Sequence, residues 1–495
     1  MIRITSNREA YSYDAYHIVK MFFHEEEVTQ RIDTKQEALI KVQLKSGSCF
    51  CMARENKFTE QSTKQEDWQE IYGLQTDDVK QKKQELNRQL YCWLQKETKK
   101  SLPWGILTGI RPTKIACTMM KSGSSEVQVR EYLRDFYYVS EKKIKLCLQV
   151  AKKEKVLLEE IDYEDSYSLY VGIPFCPTTC NYCSFTSYPI QEWKSRVGEY
   201  LQALCKEIAF ISKKMEKKKL KTIYIGGGTP TTLEAHELDF LLGSIEQIFS
   251  KEYLEQHLKE YTVEAGRADS ITKAKLQVLK KYQVNRISIN PQSMKQSTLE
   301  AIGRQHTVAE VVDTFHLARE MGFDNINMDL IAGLSDEGIL DMEDTLRQIG
   351  RLEPDSITVH ALARKRAARM NIENTQLGHM ERELEDMILA GAKWAKKMGM
   401  KPYYLYRQKN IAGSFENVGY AKVDKAGIYN ILIMEEIQSI IAVGAGATTK
   451  VVLQNPIMYG GRNTNIVRIE NVKDVGEYIT RIDEMINRKE DLIWR

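Results

Sequence analysis

The sequence predicts an α/β protein built on parallel strands, as a partial (β/α)6 barrel or an open sheet. An α+β segment precedes this core and a mixed segment follows it. Three observations predict this. From residue 168 onward, short apolar runs alternate with charged amphipathic stretches, the pattern of parallel strands joined by crossover helices. Six such strands are expected, at 169–173, 222–225, 261–264, 286–289, 326–331 and 356–359. The chemically informative residues also fall at strand ends: Gly226 follows the second strand, Glu264 ends the third and Gln292 follows the fourth. In barrels and open sheets alike, function gathers at the C-terminal ends of the strands.

Residues 1–163 read as a separate α+β domain. Residues 38–44 and 48–53 are expected as short strands around a turn at Lys45, Ser46 and Gly47. Helices are expected near 77–99, 125–136 and 141–160, the last with Ser140 as its N-cap. Between the first two lies SLPWGILTGIRPTKIA, residues 101–116. Its glycines, prolines, Arg111 and Lys114 suit either a loop that binds an anionic group or an ordinary interdomain turn. The α/β core is expected over 164–375. A C-terminal domain over 376–495 carries an expected helix at 382–397, a strand-like run at 402–406 and a last helix at 475–488.

A chain of 495 residues exceeds one ordinary core. Hydrophobic residues at 42% and charged residues at 28% indicate a folded globular protein. The 71 basic and 68 acidic residues leave a net charge of +3, which gives no general attraction for nucleic acid or anionic membrane. The basic run from Lys213 to Lys221 reads as a solvated helix end or a phosphate-binding patch. No apolar run reaches the roughly 18 residues of a membrane span. The longest candidate, 431–452, is broken by Glu435, Glu436, Gln438 and Lys450. The N-terminus lacks the apolar stretch of a signal peptide, so a cytoplasmic location is expected.

Nine cysteines in such a chain do not imply a disulfide framework. Cys49, Cys51, Cys92, Cys117, Cys147 and Cys205 are scattered among apolar neighbours, and most of them read as small buried hydrophobes. The other three stand in YVGIPFCPTTCNYCSF, as Cys176-x3-Cys180-x2-Cys183, directly after the first core strand. Three thiolates on one loop can each ligate one iron of a [4Fe–4S] cubane. A structural zinc site needs four ligands, and no fourth cysteine or histidine lies nearby in the sequence. The iron–sulfur reading is therefore preferred over zinc and over unligated core cysteines. Three ligands leave the fourth iron open, and the amino and carboxylate groups of S-adenosylmethionine (SAM) supply a chelate for it.

On this cysteine motif, with IGGGTPTTL, TVEAG and INMDLIAG, the chain resembles the radical SAM superfamily. More closely it resembles the oxygen-independent coproporphyrinogen III oxidase (coproporphyrinogen dehydrogenase) family, in the branch with an extra N-terminal domain. TGIRPTKI looks like that branch as well. The resemblance covers about Tyr170 to the C-terminus. It implies that Cys176, Cys180 and Cys183 hold the cluster and that Tyr170 lies near the methionine part of SAM. Tyr182 would pack beside the adenine. Gly227, Gly228 and Thr229, with Gly226, would approach the amino and carboxylate end of SAM through backbone N–H groups; a glycine run here also suits a simple strand-to-helix turn. Glu264 would accept from the SAM amino group or ribose. Gln292, Arg304 and Asp329 match a trio of SAM contacts, Asp329 as an acceptor for ribose hydroxyls. Asp329 also reads as a surface-facing strand end, and Arg304 as a structural ion-pair partner. Ala361 matches a weaker backbone contact. The segment IAVGAGATTK (441–450) resembles one beneath the substrate cavity. Tyr403, Tyr404 and Tyr406 would line that cavity or pack the domain junction.

Two positions depart from the well-studied branch: Gly172 replaces a histidine, and Phe185 replaces a cysteine that is not a ligand. A glycine at 172 is read as leaving room but supplying no polar group, with Arg111 or Tyr91 as residues that would fill the gap. The resemblance implies a monomeric enzyme that oxidatively decarboxylates coproporphyrinogen III to protoporphyrinogen IX in haem biosynthesis through a SAM-derived 5′-deoxyadenosyl radical. It would draw electrons from a low-potential donor such as flavodoxin or ferredoxin. Arg111, Lys114, Arg364 and Arg366 are candidate propionate holders. The rival expectations are a haem-binding carrier and another radical SAM tetrapyrrole enzyme such as a haem-opening methyltransferase. A radical SAM RNA modifier ranks last, given the charge balance.

Overall fold

The computed structural model describes residues 2–6, 9–23, 26–31, 40–45, 48–54, 68–75, 78–109, 111–183, 185–362, 377–407 and 415–493. The chain divides into two compact units: Met1–Ala151 with Gln376–Glu381 and Tyr406–Glu416, and Lys152–Thr375 with Arg382–Leu405 and Asn417–Arg495.

The first unit contains strands β1 (Ile2–Ser6), β2 (Val28–Arg31), β3 (Ile40–Lys45), β4 (Ser48–Arg54) and β5 (Trp68–Gln75). They form one sheet in the order β2-β1-β3-β4-β5. β1 runs parallel to β2 and β3, while β3, β4 and β5 form an antiparallel meander. The helix Glu9–Phe22 buries Tyr11, Ala15, Ile18, Val19 and Phe22 along one stripe. These share a core with Leu86, Leu90, Tyr91 and Leu94 of the helix Val79–Thr98, whose start is capped by Asp78 accepting from Lys80 N at 2.8 Å. The expected β3–β4 hairpin is present. The sequence reading missed β1, β2, β5 and the first helix; β1 and β2, of five and four residues, carry too few alternations to stand out.

In the second unit six parallel strands lie side by side in chain order: β6 (Ser166–Ile173), β9 (Lys219–Gly227), β10 (Glu260–Gly266), β11 (Arg286–Ile289), β12 (Ile326–Ala332) and β13 (Ser356–Ala361). Two short strands, β7 (Phe175–Cys176) and β8 (Tyr188–Pro189), pair beside the cysteine loop. Nearly every residue of β6 and β12 is buried, as expected for strands covered on both faces. The helix Val197–Lys214 covers this sheet with Tyr200, Leu201, Leu204, Ile208 and Ile211.

The C-terminal segment extends the sheet at both edges. β14 (Lys401–Arg407) and β15 (Glu416–Ala421) follow β13, with β15 antiparallel to it. On the far side β16 (Ser439–Val443) runs parallel to β6, and the hairpin β17 (Thr448–Tyr459) and β18 (Arg462–Glu470) completes eleven strands. β6 and β13 are thus not partners, and the parallel set remains a partial barrel. The last expected helix is two, Val475–Thr480 and Ile482–Ile493. No helix among the described residues is long and apolar enough to cross a membrane.

Candidate functional site

The cysteine loop leaves the end of β6 and is tied down along its length. Cys176 lies on β7, with its Sγ 3.5 Å from Thr229 Oγ1. Asn181 donates to Ile302 O (3.1 Å) and, through Nδ2, to Ala301 O (3.0 Å). Cys183 N reaches Cys180 O at 3.1 Å. Cys180 is buried and the other two are partly so. Burial pushes the Cys176 thiol up, against the hydrogen bond from Thr229.

Facing this loop is the glycine turn after β9. Gly227 takes a φ of +108°, and a Cβ on Gly228 would fall 2.4 Å from Phe175 O. Glycine is therefore required at both positions. The N–H groups of Gly228 and Thr229 donate to Ile173 O and Phe175 O, each at 2.7 Å. These two amides brace the cysteine strand.

A row of polar side chains crosses the C-terminal ends of the strands. Glu264 accepts from Tyr224 Oη, from Ser288 Oγ (3.2 Å) and from Asn290 Nδ2 (3.1 Å). Asp329 accepts from Asn327 Nδ2 at 2.7 Å and has His360 Nε2 at 3.6 Å. Asn290 joins the two, since its Oδ1 accepts from Asp329 N at 3.1 Å. The carboxylates are pushed apart in acidity. Burial, reinforced by the nearby Asp329 charge, raises Glu264 to about 7. Asp329 is lowered, because hydrogen bonding and charge from His360, with Asn327 and Thr358, overcome its burial.

Gln292 and Arg304 close the row. Gln292 holds a left-handed φ of +68° and is pinned by Gln292 N donating to Asp329 O and by Ile331 N donating to Gln292 O, both at 3.0 Å. Its buried Oε1 has no partner among the described residues. Arg304, 6% exposed, donates to Asn290 O and to Tyr182 Oη (3.0 Å), while its Nε is also unpartnered. Tyr182 packs against Leu299, Ile302, Ile331 and Leu334. Ala361 N donates to Asn417 Oδ1 at 2.9 Å, so a ligand contact there would use its carbonyl.

Beneath the row the tyrosines stack. The Tyr224 and Tyr429 rings lie 4.4 Å apart, and Tyr170 lies 6.3 and 6.4 Å from them. Tyr429 enters on the first turn of the helix Ile428–Glu435, whose Ile428 and Tyr429 N–H groups donate to Glu260 at the opposite end of β10. Tyr403 and Tyr404 are buried, and the ring of Tyr404 fills the space over Gly419; they pack the sheet.

Gly172 does not leave the room expected of it. A Cβ there would meet Val443 O at 3.1 Å and Ala447 Cβ at 3.8 Å. The 444–447 loop of the IAVGAGATTK segment occupies that side. Tyr91 lies in the core of the first unit, stacked on Tyr138 and accepting from Leu102 N at 3.2 Å. Arg111 is partly buried and Lys114 exposed in the first unit; Arg364 and Arg366 lie outside the described residues. The sequence reading also missed Tyr224, Asn290, His360 and Tyr429. Asn290, directly after the apolar strand RISI, and His360, next to Ala361, carried the signal of polar residues at strand ends.

The side chains fit a cubane cluster and SAM. Three thiols stand on one braced loop beside a glycine turn. Two buried polar atoms, Gln292 Oε1 and Arg304 Nε, have no partner among the described residues, and a ligand rich in donors and acceptors would satisfy them.

Residues 170–349 match the model of the radical SAM superfamily. The chain is 42% identical to the oxygen-independent coproporphyrinogen-III oxidase-like protein HemZ of Bacillus subtilis, over 80% of this chain and 78% of that protein. It is 38% identical to the haem chaperone HemW of the same organism, over 39% of this chain and 50% of that one. Among solved structures, coproporphyrinogen III oxidase (HemN) from Escherichia coli shares the fold, with a TM-score of 0.50 and 20% identity over 67% of this chain and 73% of that one. A superfamily match over the core and a relative aligned over most of both chains place the protein: it belongs to the radical SAM superfamily, in the family of oxygen-independent coproporphyrinogen III oxidase-like proteins.

Proposed function

We propose that this chain binds a [4Fe–4S] cluster through Cys176, Cys180 and Cys183, binds SAM across the strand ends, and oxidatively decarboxylates coproporphyrinogen III to protoporphyrinogen IX. The observation that carries the reading is the convergence at the C-terminal strand ends: a three-cysteine loop, a glycine turn and two carboxylates of opposite acidity shift. When bound, the cluster and SAM supply a one-electron reductive cleavage that yields a hydrogen-abstracting radical. The chain's own residues bind and orient. Asp329, kept ionised, accepts from hydroxyl groups, and Glu264 accepts from an amino group or hydroxyls once it has lost its proton. Gln292 and Arg304 offer their unpartnered atoms to the amino-acid end of the ligand. The tyrosine stack closes the interior below and keeps water from the reacting atoms. A low-potential flavodoxin or ferredoxin suits the donor role.

A second reading, haem handling without decarboxylation, is supported by the core's identity to a haem chaperone and by the filled space at Gly172. One experiment separates the two. Anaerobically reconstituted protein is incubated with SAM, reductant and coproporphyrinogen III, and the product mass is read. Loss of two CO2 together with four hydrogens, as two propionates become vinyl groups, supports oxidative decarboxylation. Intact substrate with a fully loaded cluster and active SAM cleavage rejects it and promotes haem handling.

A further inference from the structure

We propose that Arg267 is a positioning residue for the cysteine loop, clamping Thr178 midway between Cys176 and Cys180. The proposal rests on the reading of the three cysteines as cluster ligands and is independent of the substrate.

Arg267 follows Gly266, whose φ of +57° turns the chain at the end of β10. That turn sends the side chain towards the cysteine loop, where it is 2% exposed. Its guanidinium is divided between two partners. Nε and Nη2 donate to the two oxygens of Asp269 at 3.0 and 2.5 Å. Nη1 donates to both Thr178 O (3.1 Å) and Thr178 Oγ1 (2.7 Å). The bidentate pair fixes the plane of the fork, and the remaining edge fixes Thr178 in both main chain and side chain. Asp269 is held in turn: it lies in the short turn Ala268–Ser270 and is faced by His306 Nδ1 at 3.8 Å. Thr178 Oγ1 continues to Gly303 O at 3.3 Å, beside the Asn181 contacts to 301 and 302. The loop between the first two cysteines is therefore gripped from β10 and from the 301–304 turn together.

A lysine could not make this arrangement, because it lacks the planar fork. The Arg267 charge is matched by Asp269, so the contribution is geometric: the loop keeps the thiolates at the separation a cluster needs. An unclamped loop lets ligands leave one at a time.

The test is a double-mutant cycle on the anaerobically reconstituted full chain, reading iron and sulfide content and the rate at which a chelator strips iron. Arg267→Met is expected to strip about tenfold faster or more, the scale of a lost charged hydrogen bond. Thr178→Val, which keeps the carbonyl, is expected to strip roughly threefold faster. The double variant is expected to strip faster than Arg267→Met by less than the full Thr178→Val factor, since of the two Oγ1 bonds only the one to Gly303 O remains to be lost. Arg267→Lys is expected to recover part of the loss by keeping one donor. Wild-type stripping in Arg267→Met, or effects that multiply in the double variant, overturn the clamp. If Arg267→Met does not fold, Thr178→Val decides alone, and a wild-type rate there overturns it. A wild-type chain that takes up no cluster sinks the cysteine assignment itself, a different failure from a loaded chain indifferent to Arg267.

Discussion

On the proposed reading that Glu264 holds SAM, its acidity is expected to make SAM binding pH-dependent in a direction set by its surroundings. Burial and the Asp329 charge move this carboxyl from 4.5 to about 7, a displacement equivalent to roughly 3 kcal/mol against ionisation. For a carboxylic acid with a raised folded-state pKa, the folded state binds the extra proton. Stability at this site is therefore full below about 4.5 and falls as pH rises through about 7. Ligand binding runs the other way: a carboxylate that accepts from the SAM amino group or ribose must lose that proton first. From pH 8 to pH 6 the ionised fraction falls about tenfold for a group titrating at about 7, and affinity falls with it. Glu264→Gln removes the titration. The assay is isothermal titration of SAM into cluster-loaded protein at pH 6, 7 and 8, for both proteins. The quantity read is the ratio of the two profiles, which cancels the titration of SAM's own groups. A ratio constant across this range refutes the reasoning.

Other outcomes follow from the same geometry. Cys180→Ala abolishes bound iron and sulfide after anaerobic reconstitution, while Cys205→Ser, on the covering helix, retains both; a full cluster in Cys180→Ala rejects the ligand set. Asp329→Ala keeps its iron but weakens SAM binding about 10- to 150-fold, the cost of a lost charged acceptor, read by the same titration. Lys489→Met leaves the Glu207 charge without its counter-ion where both side chains are fully buried and 2.5 Å apart, costing about 3–5 kcal/mol in denaturant unfolding of the cluster-free chain. Glu207→Gln combined with Lys489→Met costs less than the single lysine change, because no bare charge remains.

The alternation of the core was legible because six buried parallel strands each read as a compact apolar run between amphipathic helices. The cysteine loop was legible for a different reason: its spacing is local, so the motif and the structural feature coincide. Residues whose role depends on distant strands were not. Asn290 matters because β10, β11 and β12 are neighbours, which puts Glu264 and Asp329 on either side of it. Tyr429 stacks on Tyr224 from a helix whose first N–H groups are held by Glu260, at the opposite end of β10. The C-terminal strands were missed as parts of the main sheet because β16 is five residues long and its partner, β6, lies far earlier in the chain.

The backbone around Gly172 shows why local reading went astray there. Position 172, taken alone, is an apolar strand end missing a side chain, which suggests a vacancy. In the sheet it is half of a close approach. Gly444, at φ +103°, would place a Cβ 2.5 Å from Gly172 O, and Tyr200 Oη donates to that same oxygen at 2.6 Å while accepting from Ala445 N at 3.1 Å. The turn is held further by Glu207, which accepts from Gly444 N at 2.9 Å and from Tyr478 Oη at 2.5 Å. A side chain at 172 and the 444–447 loop therefore compete for one volume, and this sequence resolves the competition for the loop. The first strand's exit to the cysteines is then braced by β9 through Gly228 and Thr229 and by β16 through this turn. Substituting position 172 alone would disturb that brace before it could add a polar group, so a gain of substrate contact there requires the loop to change with it.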